Sequence, residues 1–286
     1  TEDLSRYEDR SALPELVTIH DRKHMDDIQR ELRELPGVTV LIYDQTCASE
    51  KRRRRKKGEF PDPAKRAVIN EAVCEGCGDC SVQSNCLSVE PLETELGRKR
   101  QINQSSCNKD FSCVSGFCPS FVTVEGGGLK KPKKAAAATD NALPVLPAPA
   151  IPAIDTPFGI LVAGIGGTGV ITVGALMGMA AHLEGKGASV LDMTGMSQKN
   201  GSVTSHVKIA ETPERLRAQR IATGEADLIL GCDMLTTGAA DAVSKMRPGR
   251  TLAIVNLHEQ PTGTFAQNAD WQFPAEDVRG LIVEAV

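Results

Sequence analysis

At Met25, Ile28, Leu32 and Leu35, apolar side chains recur at the three- and four-residue spacing of one helix face, and Pro36-Gly37 ends the run. The next six residues, VTVLIY (38–43), are apolar almost without a break and predict a buried strand. From Phe158 onward, short apolar runs alternate with longer ones. GILVAG (159–164) predicts a strand, GVITVGALMGMAAHLEG (169–185) a helix, and ASVLD (188–192) and VTSHVKI (203–209) two further strands. Thr212-Pro213-Glu214 opens a helix with proline in its first turn. ADLILG (226–231) and TLAIVN (251–256) are two more strands, the second entered through Pro248-Gly249. Strands alternating with helices predict an α/β fold with a largely parallel, doubly wound sheet.

Between these two patterned regions the periodicity is lost. KRRRRKK (51–57) reads as a solvated, mobile loop. Charge alone also admits a nucleic-acid patch, or a cationic stretch that docks an acidic electron carrier or helps hold a neighbouring anionic domain together. Residues 129–157, rich in Ala and Pro, cannot build a core and read as an interdomain linker. Phe158 to Leu183 carries no charge and contains Gly174-x3-Gly178, a helix-packing spacing of membrane spans. Four glycines within six residues (Gly164, Gly166, Gly167 and Gly169) break that run, so no membrane span is expected.

Composition narrows the function. The chain has 286 residues, a formal charge of −4 and only 3% aromatics, so neither a nucleic-acid partner nor an anionic membrane is expected. Nine cysteines are present, and seven lie between Cys74 and Cys118. With no signal peptide, that crowding predicts metal binding in a reducing, cytoplasmic setting rather than disulfides. Starting at Thr1 and ending inside an apparent helix, LIVEAV, the chain reads as a fragment; its first 60 residues are too few for an independent domain.

Cys74, Cys77 and Cys80 form C-x2-C-x2-C, a spacing that wraps one corner of a four-iron cube, and Gly76 and Gly78 let backbone amides face the sulfurs. Cys118-Pro119 supplies the remote fourth ligand. In two-cluster ferredoxins each motif lends its last cysteine to the other cluster. The second set is then Cys86, Cys107 and Cys113, with Asp110 where a cysteine is expected. Asp110 as an iron ligand, an open corner with a three-iron cluster, and no second cluster all fit the spacing. Zinc would favour two separate C-x2-C knuckles. Cys47 and Cys232 stand alone, and Cys232 reads as a small buried side chain.

Gly164, Gly166 and Gly169 form G-x-G-x-x-G between a strand and a helix, with Gly167 inside the turn. Asp192 ends the following strand, near where a ribose-binding acid would sit in a NAD site. A polar loop after Asp192, in place of a second helical crossover, favours a simpler phosphate such as that of coenzyme A. A turn that only packs helix on sheet is the third reading.

The stretches IYDQTCASEKRRRRKKG, CEGCGDCSVQSNCLSVEPLETELGRKRQINQSSCNKDFSCVSGFCPSFV and GIGGTGV…GMSQKNGSV…SHVK together resemble indolepyruvate ferredoxin oxidoreductase of the long, fused bacterial type. The resemblance implies that residues 1–60 end a thiamine-diphosphate domain and residues 61–128 form a ferredoxin-like iron–sulfur domain. Residues 158–286 would be a truncated, Rossmann-like domain of the gamma type. It implies oxidative decarboxylation of an aryl 2-oxoacid with coenzyme A and ferredoxin, in a cytoplasmic homo-oligomer. Thiamine diphosphate and magnesium would sit in a missing portion, because no Gly-Asp-Gly followed by Asn occurs in this chain. No residue of this chain is then expected to be catalytic, and the fragment alone is expected to be inactive. A stand-alone iron–sulfur carrier and a NAD-linked iron–sulfur oxidoreductase are the alternatives.

Overall fold

The computed structural model describes residues 1–127, 147, 154–196 and 201–286. Most of the 129–157 stretch read as a linker, and residues 197–200 of the loop after Asp192, lie outside the described residues.

Helix α1 (Met25–Glu34) forms where the apolar spacing predicts it. The strand expected at 38–43 does not form. Val38 is 96% and Ile42 82% exposed, and the segment enters none of the described sheets. An apolar run specifies a surface to bury, but a strand also needs a neighbouring backbone for its ladder.

The basic run is also corrected: it is helix α2 (Ala48–Lys57), closed by Gly58 in the left-handed region at φ +77°. Lys and Arg are good helix formers. Glu50 pairs with Arg53 at 2.8 Å and with Arg54 at 3.0 Å, one turn along. Four cations in the last turn meet the negative end of the helix dipole.

A small module follows, built from strands β1 (Lys65–Ile69), β2 (Val89–Thr94), β3 (Gly97–Ile102) and β4 (Phe121–Glu125), with helix α3 (Asp79–Ser84) after β1. β1 pairs with β4 and β2 with β3, both antiparallel. Its core is small: Ile69 and Val89 pack with Cys74 and Cys80, flanked by Ile102 and Phe121. So few apolar side chains leave the cysteine loops as much of what the strands enclose.

The C-terminal region runs β5 (Phe158–Ile165), α4 (Val170–Leu183), β6 (Gly187–Thr194), β7 (Ser202–Ala210), β8 (Leu228–Gly231), α5 (Met234–Thr237), α6 (Ala240–Val243), β9 (Leu252–Val255), α7 (Gly263–Gln267) and α8 (Ala275–Ala285). Its sheet has the order β6-β7-β5-β8-β9. β5, β8 and β9 are mutually parallel, but β7 lies antiparallel between β6 and β5. The expectation of a largely parallel sheet therefore holds for one half only. The connection from β6 to β7 is too short for a crossover, which takes about a dozen residues, so the chain must return antiparallel.

Alternation along β5 splits the core. Ile160 and Val162 pack under α4 with Val203 and Val207, while Leu161 faces the other side with Ile221, Ile229 and Met246. Both faces of the central strands are packed, while Leu252 and Ile254 on edge strand β9 stay exposed. Gly174 and Gly178 sit where α4 meets the sheet. A methyl on Gly174 would lie 2.2 Å from Ser205 Oγ, and one on Gly178 2.6 Å from Val190 Cγ2. Their spacing thus serves helix-on-sheet contact, and no described helix is long and apolar enough to cross a membrane. At Pro213 only a single 3-10 turn forms, Pro213–Arg215, not the expected helix. The chain is drawn back to the sheet where buried Ile221 donates its N–H to His206 Nδ1 at 3.2 Å.

Candidate metal centre

The cysteine module is a structural repeat, which the reading of single motifs missed. Ile69-Asn70-x3-Cys74 leaves β1 as Ile102-Asn103-x3-Cys107 leaves β3, an offset of 33 residues. Cys74 N–H bonds Asn70 O and Cys107 N–H bonds Asn103 O, both at 3.0 Å. The next strands follow equivalently: Val89 N–H bonds Cys86 O and Phe121 N–H bonds Cys118 O. Asn70 N–H reaches Ser120 O, and Asn103 N–H reaches Ser88 O, so each half leans on the other. The β1–β4 and β2–β3 pairings complete a pseudo-two-fold. An internal comparison of the sequence at this offset would have found it.

Within the repeat Asp110 occupies the position of Cys77. The two loops also share a backbone path. Gly76 and Gly78 have φ of +75° and +83°; their counterparts Lys109 and Phe111 take +57° and +60°. Left-handed conformations are unfavourable for residues with a Cβ, so the second loop holds this path against local preference. In both loops an amide then points at the first sulfur: Gly76 N–H to Cys74 Sγ and Lys109 N–H to Cys107 Sγ, each 3.4 Å. Glycine is required at position 76 for a second reason, because a Cβ there would meet Arg98 O at 2.3 Å.

Cys74, Cys77, Cys80 and Cys118, the first predicted set, line one cavity of about 180 Å³ together with Arg100 and Ser120. The two cysteines of the C-x2-C-x2-C ends, Cys74 and Cys80, are buried, and Cys77 is exposed. Burial pushes the Cys80 thiol up, and the nearby Arg100 guanidinium draws it back. Ser120 Oγ lies 3.0 Å from Cys118 Sγ. The donor chemistry, an amide aimed at sulfur and a void among four thiols fit an iron–sulfur cube.

The second set also converges. Cys113 is pushed up to about 11, first by burial and then by Cys107 and Cys86 beside it. Burial raises Cys107 as well, with Cys86 and Asp110 adding to it. Asp110 is exposed, and its Oδ1 accepts from Ser112 N–H at 3.2 Å and Ser112 Oγ at 3.0 Å. Among the described residues, no three His, Cys, Asp or Glu side chains close to single-ion distance.

Cations gather around both loops. Arg52 Nη1 donates to Ser106 O at 2.8 Å and Arg55 Nη1 to Asn108 O at 2.6 Å, which seats α2 against the Cys107 loop. Lys109 pairs with Asp62. On the first loop, Lys99 Nζ donates to Cys74 O at 2.7 Å. The C-terminal region reaches the same loop: Arg98 Nη1 donates to Trp271 O at 2.7 Å and Arg100 Nη2 to Ala269 O at 3.1 Å.

The glycine turn has a different character. A Cβ on Gly164 would lie within 3 Å of Thr168, Val170 and Cys232, so that glycine serves close packing. Gly167 and Gly169 take φ of +101° and +92° with open space around them, which the turn into α4 requires. Gly166 N–H bonds Gly201 O at 2.8 Å. Asp192 lies on β6, and β7 separates that strand from β5. Two strand spacings amount to about 10 Å, whereas a dinucleotide site uses the strand directly beside the glycine turn. Cys232 is half-buried against the α4 side of the sheet, more exposed than the sequence suggested, and burial raises its thiol.

Residues 159–285 match the family model described as pyruvate ferredoxin/flavodoxin oxidoreductase. Two curated relatives are both described as indolepyruvate oxidoreductase subunit IorB. That of Methanothermobacter thermautotrophicus is 34% identical over 89 residues, 31% of this chain and 42% of the relative. That of Archaeoglobus fulgidus is 33% identical over 100 residues, 35% of this chain and 46% of the relative. The chain therefore spans less than half the length of either relative. The crystal structure of the pyruvate oxidoreductase subunit PORC from Thermotoga maritima is 14% identical, covers 40% of this chain and 56% of its own, and has a TM-score of 0.28, too low to bear on the fold. The family model and the relatives support the 2-oxoacid:ferredoxin oxidoreductase family.

Proposed function

We propose that this chain is the electron-transfer and gamma-type portion of a 2-oxoacid:ferredoxin oxidoreductase acting on aryl 2-oxoacids such as indolepyruvate. The overall reaction takes an aryl 2-oxoacid, coenzyme A and two oxidised ferredoxins to acyl-CoA, CO2, two reduced ferredoxins and a proton. Residues 61–128 form a two-cluster module. Cys74, Cys77, Cys80 and Cys118 hold one iron–sulfur cluster; Cys86, Cys107, Cys113 and Asp110 hold the other. The clusters, when bound, supply one-electron storage. Thiamine diphosphate and magnesium are bound outside these residues, and the assembly is a cytoplasmic homo-oligomer.

The observation that carries the reading is the pseudo-two-fold repeat, with four thiols around a cavity on one side and three thiols with a carboxylate on the other. Mononuclear zinc favours two separate C-x2-C knuckles, whereas this stretch carries C-x2-C-x2-C with a remote Cys-Pro. The chain's own residues do three things toward a cluster. Gly76 and Lys109 direct amides at sulfur, burial keeps water from Cys74 and Cys80, and Arg52 and Arg55 brace the second loop. Gly164, Gly166, Gly167 and Gly169 shape a tight turn at the start of α4, and we assign that region to the coenzyme A side of the enzyme.

Anaerobic iron and acid-labile sulfide content, with EPR before and after dithionite, tests this. By ligand count, about eight irons per chain are expected with Asp110 as a ligand, and about seven with an oxidised three-iron signal if its corner is open. Zinc without iron would overturn the proposal.

A further inference from the structure

Arg100, on β3, is 2% exposed and lines the first cavity beside Cys74, Cys77, Cys80 and Cys118. Among the described residues it forms no ion pair, whereas Arg98 on the same strand pairs with Glu93. Nη1 donates to Lys99 O and Nη2 to Ala269 O, both at 3.1 Å, and the guanidinium lies over the Phe265 ring, 4.5 Å from its centroid. Nε is buried without a partner. Burying a cation costs several kcal/mol unless charge compensates it, and carbonyl dipoles and a ring compensate only in part. Glu75 and Asp79 also line the cavity but are exposed to solvent, and the anionic groups that act most on the guanidinium are the sulfurs of Cys80, Cys74 and Cys77.

The repeat supplies an internal control. The residue equivalent to Arg100 in the other half is Ala67, equally buried and neutral. A loop of this kind therefore folds without the cation. Arg100 also cannot lose its proton readily, since guanidinium stays charged throughout the working range of pH.

We propose that Arg100 raises the reduction potential of the cluster held by Cys74, Cys77, Cys80 and Cys118, and that the 263–271 segment fixes its position. The inference rests on the cluster assignment above. One-electron reduction adds a negative charge to the cluster, and a fixed cation at the cavity wall stabilises the reduced state more than the oxidised one. Ala269 O and the Phe265 ring hold the guanidinium from the C-terminal side, so contact between the two regions and the potential are coupled through one side chain.

The test is an EPR-monitored redox titration of the cluster-loaded chain, with dithionite as electron donor, for Arg100→Met, Arg100→Gln and Arg100→Lys. Met and Gln should lower the equilibrium constant for reducing one cluster about tenfold, which is about 59 mV for a one-electron couple, and leave the other cluster unmoved. Lys should keep most of the native potential. Unmoved potentials in the neutral variants with iron intact would overturn the proposal, as would Lys shifting as far as Met, which would assign the effect to packing. Should Met alone lose the first cluster, Gln decides. Loss in all three variants would make Arg100 purely structural and also overturn the proposal. A native chain that takes up no iron would instead refute the cluster assignment.

Discussion

The approach of Gly76 to β3 can be tested against a control in the same hairpin. Gly76 (φ +75°) would carry a Cβ 2.3 Å from Arg98 O, a backbone atom that cannot rotate aside. Gly97 (φ +90°), one residue before Arg98, has nothing within 4 Å of its Cβ position. Alanine at either site pays the left-handed penalty, about 1–2 kcal/mol. Alanine at Gly76 must also push the β3 carbonyl back by about 1 Å, an overpacking strain of about 1–3 kcal/mol. Gly76→Ala should therefore be the worse variant by about 1–3 kcal/mol, or roughly 5- to 150-fold in a rate governed by local opening. The assay is the rate at which a ferrous chelator bleaches the cluster absorption. Sole Trp271, whose carbonyl is held by Arg98, gives a parallel fluorescence readout. Equal bleaching rates for the two alanine variants would refute the view that loop and hairpin are locked in contact at Gly76.

Asp110→Cys should give a complete second four-iron cluster that bleaches more slowly than the native one and shows no three-iron EPR signal, because thiolate replaces carboxylate at the position equivalent to Cys77; iron content unchanged by Cys107→Ser would count against the second set. In the iron-free chain near pH 8, Cys113, whose thiol is pushed up to about 11, should alkylate at least about tenfold more slowly than an unperturbed cysteine, as read by mass spectrometry of the labelled peptides. Buried His206 is held below its ordinary 6.5 first by desolvation and then by Arg220. The unfolded chain thus binds that proton more readily, so the contribution is complete above about pH 6.5 and is lost as pH falls through the lower folded value. Urea midpoints of the native chain should drop between about pH 7.5 and 5.5, and His206→Asn, which can still accept the Ile221 N–H, should flatten that drop.

Much of the candidate centre was legible because its information is local. Three thiols within seven residues must share one loop, and a remote cysteine before proline completes the set; the cavity lined by Cys74, Cys77, Cys80 and Cys118 has that composition. The strands and the long helix of the C-terminal region were legible for a similar reason, since period and run length are properties of short windows. VTVLIY failed because a strand needs a partner that no window contains, and KRRRRKK failed because charge was weighed above helix propensity and the Glu50 pairs.

The remainder depends on contacts between residues far apart in the chain. The sequence by itself carried the two candidate ligand sets, a repeat that the reading of single motifs passed over, the glycine turn and the strand-forming runs of the C-terminal region, because each is written within a few dozen residues. Only the tertiary structure decided that β7 slips between β6 and β5, which separates Asp192 from the glycine turn, and that α2 braces the Cys107 loop. It alone buried Arg100 at the first cavity under Phe265 and Ala269, more than 160 residues away in the chain. A cation's burial is set by whatever packs over it, and no local pattern encodes that.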